Sequence, residues 1–98
     1  VKGKKVDPQE IETVLNGLNG VDDSVVMGIQ EPSMSGESLG AIVAGNETMP
    51  QVDGIRDSCR QHLASHKVPR QILRVEALPR TPRGKIDRKL IRKWLETR

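Results

Sequence analysis

A chain of 98 residues, 35% hydrophobic and 30% charged with no Phe or Tyr, can build one domain around a modest aliphatic core; at this length about 60 to 65% of the unfolded chain's surface is buried on folding. No apolar run approaches the roughly 20 residues that cross a bilayer, and Val1-Lys2-Gly3-Lys4-Lys5 lacks the apolar stretch of a signal peptide, so a soluble protein is expected. The net charge of +3 hides an asymmetry: residues 1–66 carry 5 basic against 10 acidic side chains, and residues 67–98 carry 11 against 3. A basic third of this kind suits phosphorylated ligands, nucleic acid or an acidic partner, and the lack of stacking aromatics weighs against single-stranded nucleic acid.

In chain order, residues 1–6 are short, basic and interrupted by Gly3, which reads as a short N-terminal strand or half-hairpin. The first residue is Val and falls inside that strand, so further chain is expected upstream. Asp7 then stands as an N-cap, Pro8 suits the first helical position, Glu10 would complete a capping box, and Val6 and Ile11 would close a hydrophobic staple. Ile11, Val14, Leu15 and Leu18 give one apolar face, so the spacing predicts a helix from Pro8 to about Leu18, ended by Gly17 or Gly20.

Val25-Val26-Met27-Gly28-Ile29 is a short apolar run of the kind found in strands covered on both faces, and residues 39–44 form a second one. The turn-rich stretch between them, residues 31–36, makes the pair a hairpin. Met27 and Met34 have no supporting Cys or His spacing, so they read as core fillers and no metal site is expected.

Pro50 opens the next predicted helix, with Val52, Ile55, Cys59 and Leu63 on its buried face. Cys59, the single cysteine, cannot form an internal disulfide and reads as a buried thiol in a reducing, cytoplasmic setting. His62 and His66 lie four apart, a spacing that can hold zinc on a helix, but no third ligand accompanies them and they read as solvated side chains. Val68-Pro69 ends this helix, and residues 71–75 form a third strand.

Leu78-Pro79-Arg80-Thr81-Pro82-Arg83-Gly84-Lys85 follows as a loop ordered by two prolines and a glycine. Beyond Gly84 the apolar residues Ile86, Leu90, Ile91, Trp94 and Leu95 have helical spacing, which places Lys85 at a helix start. A cation there opposes the positive end of the helix dipole, a cost of a few tenths to about 1 kcal/mol, so helix stability alone does not select it. The sum is an α+β domain: a small three-stranded sheet with about three helices packed on it and the short N-terminal strand or hairpin.

Three strings together resemble the C-terminal domain of the adenylate-forming superfamily, which includes acyl-CoA synthetases, peptide-synthetase adenylation domains and luciferases. They are Gly3-Lys4-Lys5-Val6-Asp7-Pro8-Gln9-Glu10-Ile11-Glu12, then His66-Lys67-Val68-Pro69, then Pro79-Arg80-Thr81-Pro82-Arg83-Gly84-Lys85-Ile86-Asp87-Arg88. The family usually carries an aromatic residue where His66 stands. The resemblance implies a ligase that uses ATP, Mg2+ and CoA, with a large N-terminal domain as partner and CoA or an acyl-carrier protein as thiol acceptor. It implies Lys85 as the adenylation lysine, a loop at Gly3 facing the thioester-forming site, and rotation of the domain between the two half-reactions. Arg80, Thr81, Arg83 and Gly84 are candidates for anchoring the lysine loop or contacting phosphate, and Lys4 and Lys5 for meeting the phosphates of CoA or an acidic carrier. A different class remains open, a stand-alone non-enzymatic basic module that docks on an acidic carrier protein or nucleic acid.

Overall fold

The computed structural model describes residues 6–30 and 37–97. The expected N-terminal strand, with Gly3, Lys4 and Lys5, lies outside them, as does the loop at residues 31–36. Helix α1 spans Pro8–Asn16, strand β1 Val21–Gln30, β2 Glu37–Gly45, helix α2 Val52–His62, β3 Gln71–Val75 and helix α3 Arg88–Glu96, with one 3-10 turn at Ser65–Lys67. The strands form one mixed sheet in the order β1-β2-β3, β1 antiparallel and β3 parallel to the central β2. The parallel pair requires a crossover, and α2 supplies it. The α+β reading of the sequence therefore stands.

Because side chains alternate along a strand, the sheet sorts its apolar residues onto two faces. Val26, Leu39, Ala41, Val43 and Ile72 pack against Ile11 and Leu15 of α1 and Ile55 and Cys59 of α2. Val25, Met27, Ile29, Ile42 and Ala44 pack against Ile91 and Leu95 of α3 and against Leu78. The continuous apolar runs that marked β1 and β2 have this cause, since both of their faces are covered.

Three boundaries of the first two helices differ from the sequence reading, one of them the end of α2, which stops at His62 and gives way to the 3-10 turn Ser65–Lys67 before Val68-Pro69 is reached. Helix α1 stops at Asn16, two residues short of Leu18, because the bonding tightens there: the Gly17 amide is shared between the Thr13 and Val14 carbonyls, the Leu18 amide bonds to Leu15 only three residues back, and the chain then turns into β1. Helix α2 starts at Val52, with Gln51 at the cap position in extended conformation, so Pro50 precedes the helix and does not open it. The capping box is also replaced. The Asp7 carboxylate accepts from the Gln9 amide at 2.9 Å, while Glu10 meets the Lys67 ammonium at 2.8 Å and so ties α1 to the 3-10 turn. The pair is partly exposed and contributes little stability, of order 0–1 kcal/mol.

The outer edge of β1 carries its own cover. Glu12 of α1 accepts the Val26 amide at 2.8 Å, Glu96 of α3 accepts the Gln30 amide at 2.8 Å, and Arg92 of α3 donates to the Gly28 carbonyl. An uncovered edge is a template for pairing with another chain, and charged side chains from both layers occupy these positions.

Cys59 is fully buried, and burial pushes its thiol up in pKa despite the opposing pull of the nearby Arg56 guanidinium. A thiol harder to ionise when folded contributes stability that is intact below its ordinary value of 9.0 and lost as pH rises toward the folded value. Unfolding free energy measured across the alkaline range should fall with this slope, and Cys59→Ala should flatten it. At Gly45 a Cβ atom would lie 1.9 Å from the Gly20 carbonyl oxygen, a backbone atom that cannot step aside. Gly45→Ala is expected to lower the denaturant midpoint, with a loss at or above the upper end of the roughly 1–3 kcal/mol typical of overpacking.

Candidate functional site

Beyond β3 the chain is nailed down, released for a few residues and nailed down again. Leu78 is buried against Ile91 and Leu95, and Ile86 packs on the same cluster from the far side of the turn. Between these anchors the chain folds into a miniature hairpin: Arg80 and Ile86 form an antiparallel bridge, and the Asp87 amide donates to the Pro79 carbonyl at 2.9 Å. The Thr81 amide donates to the Lys85 carbonyl at 2.7 Å, and the Gly84 amide to the Thr81 carbonyl at 2.8 Å. Pro82 suits the first corner of such a turn because its backbone angle is already set, and Gly84 takes φ +86, the left-handed conformation a three-residue hairpin loop requires. The Arg80 guanidinium closes the loop from outside by donating to the Gly84 carbonyl at 3.0 Å.

Lys85 follows Gly84 directly and is exposed at the side of this hairpin. Among the described residues its ammonium has no hydrogen-bond or ion-pair partner. Arg83 and Pro82 are exposed beside it, and Thr81 is half-buried. The structure thus brings Arg80, Thr81, Arg83, Gly84 and Lys85 into one turn. Arg80 is committed to holding the loop, Thr81 contributes through its backbone, and Arg83 and Lys85 are the cations the turn presents.

The expectation that Lys85 opens the helix is corrected. Helix α3 begins at Arg88, three positions later, and its N-cap is Asp87, whose carboxylate accepts the Leu90 amide at 3.1 Å. Ile86 belongs to the apolar pattern because it packs from the residue before the cap onto the cluster that holds Ile91, in the manner of a hydrophobic staple. Lys85 therefore lies outside the first helical turn, and the dipole cost inferred from sequence does not apply to it. The Asp87 cap was the missed residue. Its signal was an Asp three residues after a glycine and immediately before a basic helical run, which favours a cap over a helix interior.

The remaining candidates divide plainly. Gly3, Lys4 and Lys5 lie outside the described residues. Helix α2 ends at His62, whose ring Nδ1 sits 2.9 Å from the Ser58 carbonyl, and His66 belongs to the separate 3-10 turn, so the two do not form a helical metal pair. Among the described residues no group of three His, Cys, Asp or Glu side chains is arranged to hold a metal ion. The exposed face of α3 adds Arg88, Lys89, Arg92 and Lys93, so the turn stands at the head of a basic surface. No helix of the described residues is long and apolar enough to cross a membrane.

Gly84→Ala isolates the backbone role of the turn. A Cβ at Gly84 would meet nothing within 4 Å, so the only penalty is the left-handed conformation, about 1–2 kcal/mol. The variant should lose roughly that much stability and show faster hydrogen exchange at the Thr81 and Asp87 amides, while exchange in β2 quickens by no more than the loss of global stability.

The profile of the family described as AMP-binding enzyme C-terminal domain matches residues 10–85. The chain is 36% identical over 90 residues to long-chain-fatty-acid–CoA ligase FadD13 of Mycobacterium tuberculosis, covering 92% of this chain and 18% of that protein. It is 40% identical over 91 residues to 3,4-dihydroxybenzoate–[aryl-carrier protein] ligase of Bacillus anthracis, covering 93% and 21%. The crystal structure of ATP-bound MatB from Rhodopseudomonas palustris superposes with a TM-score of 0.79 at 26% identity, over 94% of this chain and 18% of that one. The chain thus spans about a fifth of the length of the relatives it matches. With a profile match over most of its length and a fold shared with these ligases, the chain belongs to the AMP-binding enzyme C-terminal domain family of the adenylate-forming superfamily.

Proposed function

We propose that this chain is the C-terminal domain of an ATP-dependent carboxylic acid–thiol ligase of the acyl-CoA synthetase type, and that Lys85 supplies the cation for its adenylation step. The observation that carries the reading is an exposed ammonium without a partner among the described residues, held on a turn whose two ends are fixed to the core. The names of the relatives support the ligase class, and they include both a CoA and a carrier-protein acceptor.

In that reaction a carboxylate oxygen forms a bond to the α-phosphorus of ATP as the bond to pyrophosphate breaks. Two anions are forced together, and a positive charge between them stabilises the crowded transition state more than the separated reactants. Lysine suits the task as a compact charge on a flexible stem that can reach out of its own domain. Arg80 serves as a positioning residue through its bond to the Gly84 carbonyl, and Arg83 adds positive potential beside Lys85. The Asp87 carboxylate is occupied by the helix cap, and the turn offers no carboxylate set for Mg2+. By the family resemblance, the metal, the carboxylate pocket and most of the ATP contacts belong to a large N-terminal domain. After adenylation the C-terminal domain rotates, withdraws Lys85 and brings Gly3, Lys4 and Lys5, which lie outside the described residues, toward the incoming thiol, and the 98-residue domain alone is inactive.

The test uses the full-length enzyme and two assays, carboxylate-dependent ATP–pyrophosphate exchange and thioester formation from pre-made acyl-adenylate. Lys85→Ala should lose exchange by about two to three orders of magnitude or more, as expected for removal of a transition-state charge partner, while keeping thioester formation. Survival of both activities would make Lys85 a solvated surface residue.

A further inference from the structure

Two of the three asparagines, Asn16 and Asn19, are followed by glycine; Asn16 is the last residue of α1, and Asn19 lies three residues on, in the turn before β1. Asn-Gly is the pair in which the following backbone nitrogen can most easily reach the side-chain amide carbon, because glycine has no side chain to obstruct the approach. The fold treats the two sites differently.

At Asn16 both reacting groups are held. The Gly17 amide bonds to the Thr13 and Val14 carbonyls at 3.3 and 3.2 Å, closing the last turn of α1, and the Asn16 side-chain oxygen accepts the Ser24 hydroxyl at 2.8 Å. At Asn19 neither is held. Asn19 is exposed, it lies outside both elements, and neither its side chain nor the Gly20 amide has a hydrogen-bond partner among the described residues. The Asn19–Gly20 peptide lies inside a turn closed by the Val21 amide on the Leu18 carbonyl, but the Gly20 amide itself can lose its proton without giving up a hydrogen bond, whereas at Asn16 the same step must first break the end of α1.

We infer that Asn19 is a site of spontaneous deamidation in the folded protein and that Asn16 is protected. In the step, the deprotonated Gly20 nitrogen attacks Cγ of Asn19, a C–N bond forms, and the side-chain amide nitrogen takes up a proton and leaves as ammonia. Water then opens the resulting five-membered imide at one of its two carbonyls, giving aspartate or isoaspartate, with no change of oxidation state. The isoaspartate product routes the backbone through the side chain and lengthens it by one carbon.

The position gives the modification a structural consequence. Gly20 has φ +81, its carbonyl accepts the Asn46 amide at 3.0 Å, and a Cβ there would lie 2.4 Å from the Thr48 hydroxyl and 2.5 Å from the Met49 nitrogen. The turn before β1 is thus fitted tightly against the loop after β2, and a longer backbone at residue 19 displaces Gly20 from that fit. Modified molecules should unfold more readily than unmodified ones.

The full-length protein is incubated at mildly alkaline pH and 37 °C, and peptide mass spectrometry with fragment ions separating Asn16 from Asn19 follows conversion at each. Isoaspartate is counted independently by enzymatic methyl transfer to its free carboxylate. The expected result is conversion at Asn19 at least about tenfold faster than at Asn16, because Asn16 must wait for local opening of α1. Denaturant should bring the two rates together, Asn19→Gln should remove the fast phase, and the converted fraction should melt at lower temperature. Equal rates in the folded protein, or conversion at both sites only in denaturant, would overturn the assignment.

Discussion

The constraint on which the site depends is the closure of the hairpin over Pro79 to Asp87. Three backbone hydrogen bonds and the Arg80–Gly84 contact fix its interior, while Leu78 and Ile86 fix its ends to the core under α3. A lysine on a loose loop would pay the entropy of ordering that loop whenever it met a ligand. Here the backbone entropy is lost on folding, and only the Lys85 side chain remains to be ordered. Preorganisation of this kind allows an electrostatic contact to be strong when it forms.

The sheet makes that closure possible by dividing labour between its faces. Helices α1 and α2 share one face and leave α3 alone on the other, so Leu78, Ile86 and Ile91 all converge on the same apolar cluster. The parallel strand β3 then delivers the chain to that cluster within a few residues of its end. The covered edge of β1 belongs to the same economy of parts: Glu96 and Arg92 of α3 reach the strand whose inner face α3 also packs against. A single helix thus receives the turn, seals an edge and carries the basic surface.

Much of this could be read from the sequence, because it is local. The third strand was bounded at residues 71–75 by Pro69 on one side and the following turn residues, and the structure has Gln71–Val75. The doubly apolar runs of β1 and β2 follow from two-sided burial and were legible for that reason. What sequence did not reveal depends on tertiary partners. Glu10 abandons the capping box for Lys67, 57 residues away, Glu12 serves the edge of β1, and Glu96 reaches the same edge while also pairing with Arg92 of its own helix. The start of α3 was misplaced because a staple residue and a helical residue leave the same apolar periodicity; the Asp87 cap separates them. Of the candidate site, residues 80–85 were found as a string, whereas the hairpin that joins them, with Arg80 as its clamp, requires the fold.

The central claim is that the charge at the end of the Lys85 side chain, at that length and in that place, drives adenylation. It is tested most directly by rebuilding the charge chemically. Full-length Lys85→Cys is alkylated with bromoethylamine to give a lysine-length ammonium, and carboxylate-dependent ATP–pyrophosphate exchange is measured before and after, beside wild type treated in the same way. Cys59 is buried and shielded from the reagent in the folded domain. The account predicts a variant inactive in exchange until alkylated and substantially restored afterwards; an alkylated variant that stays as inactive as its parent, or an unalkylated one as active as wild type, would contradict it.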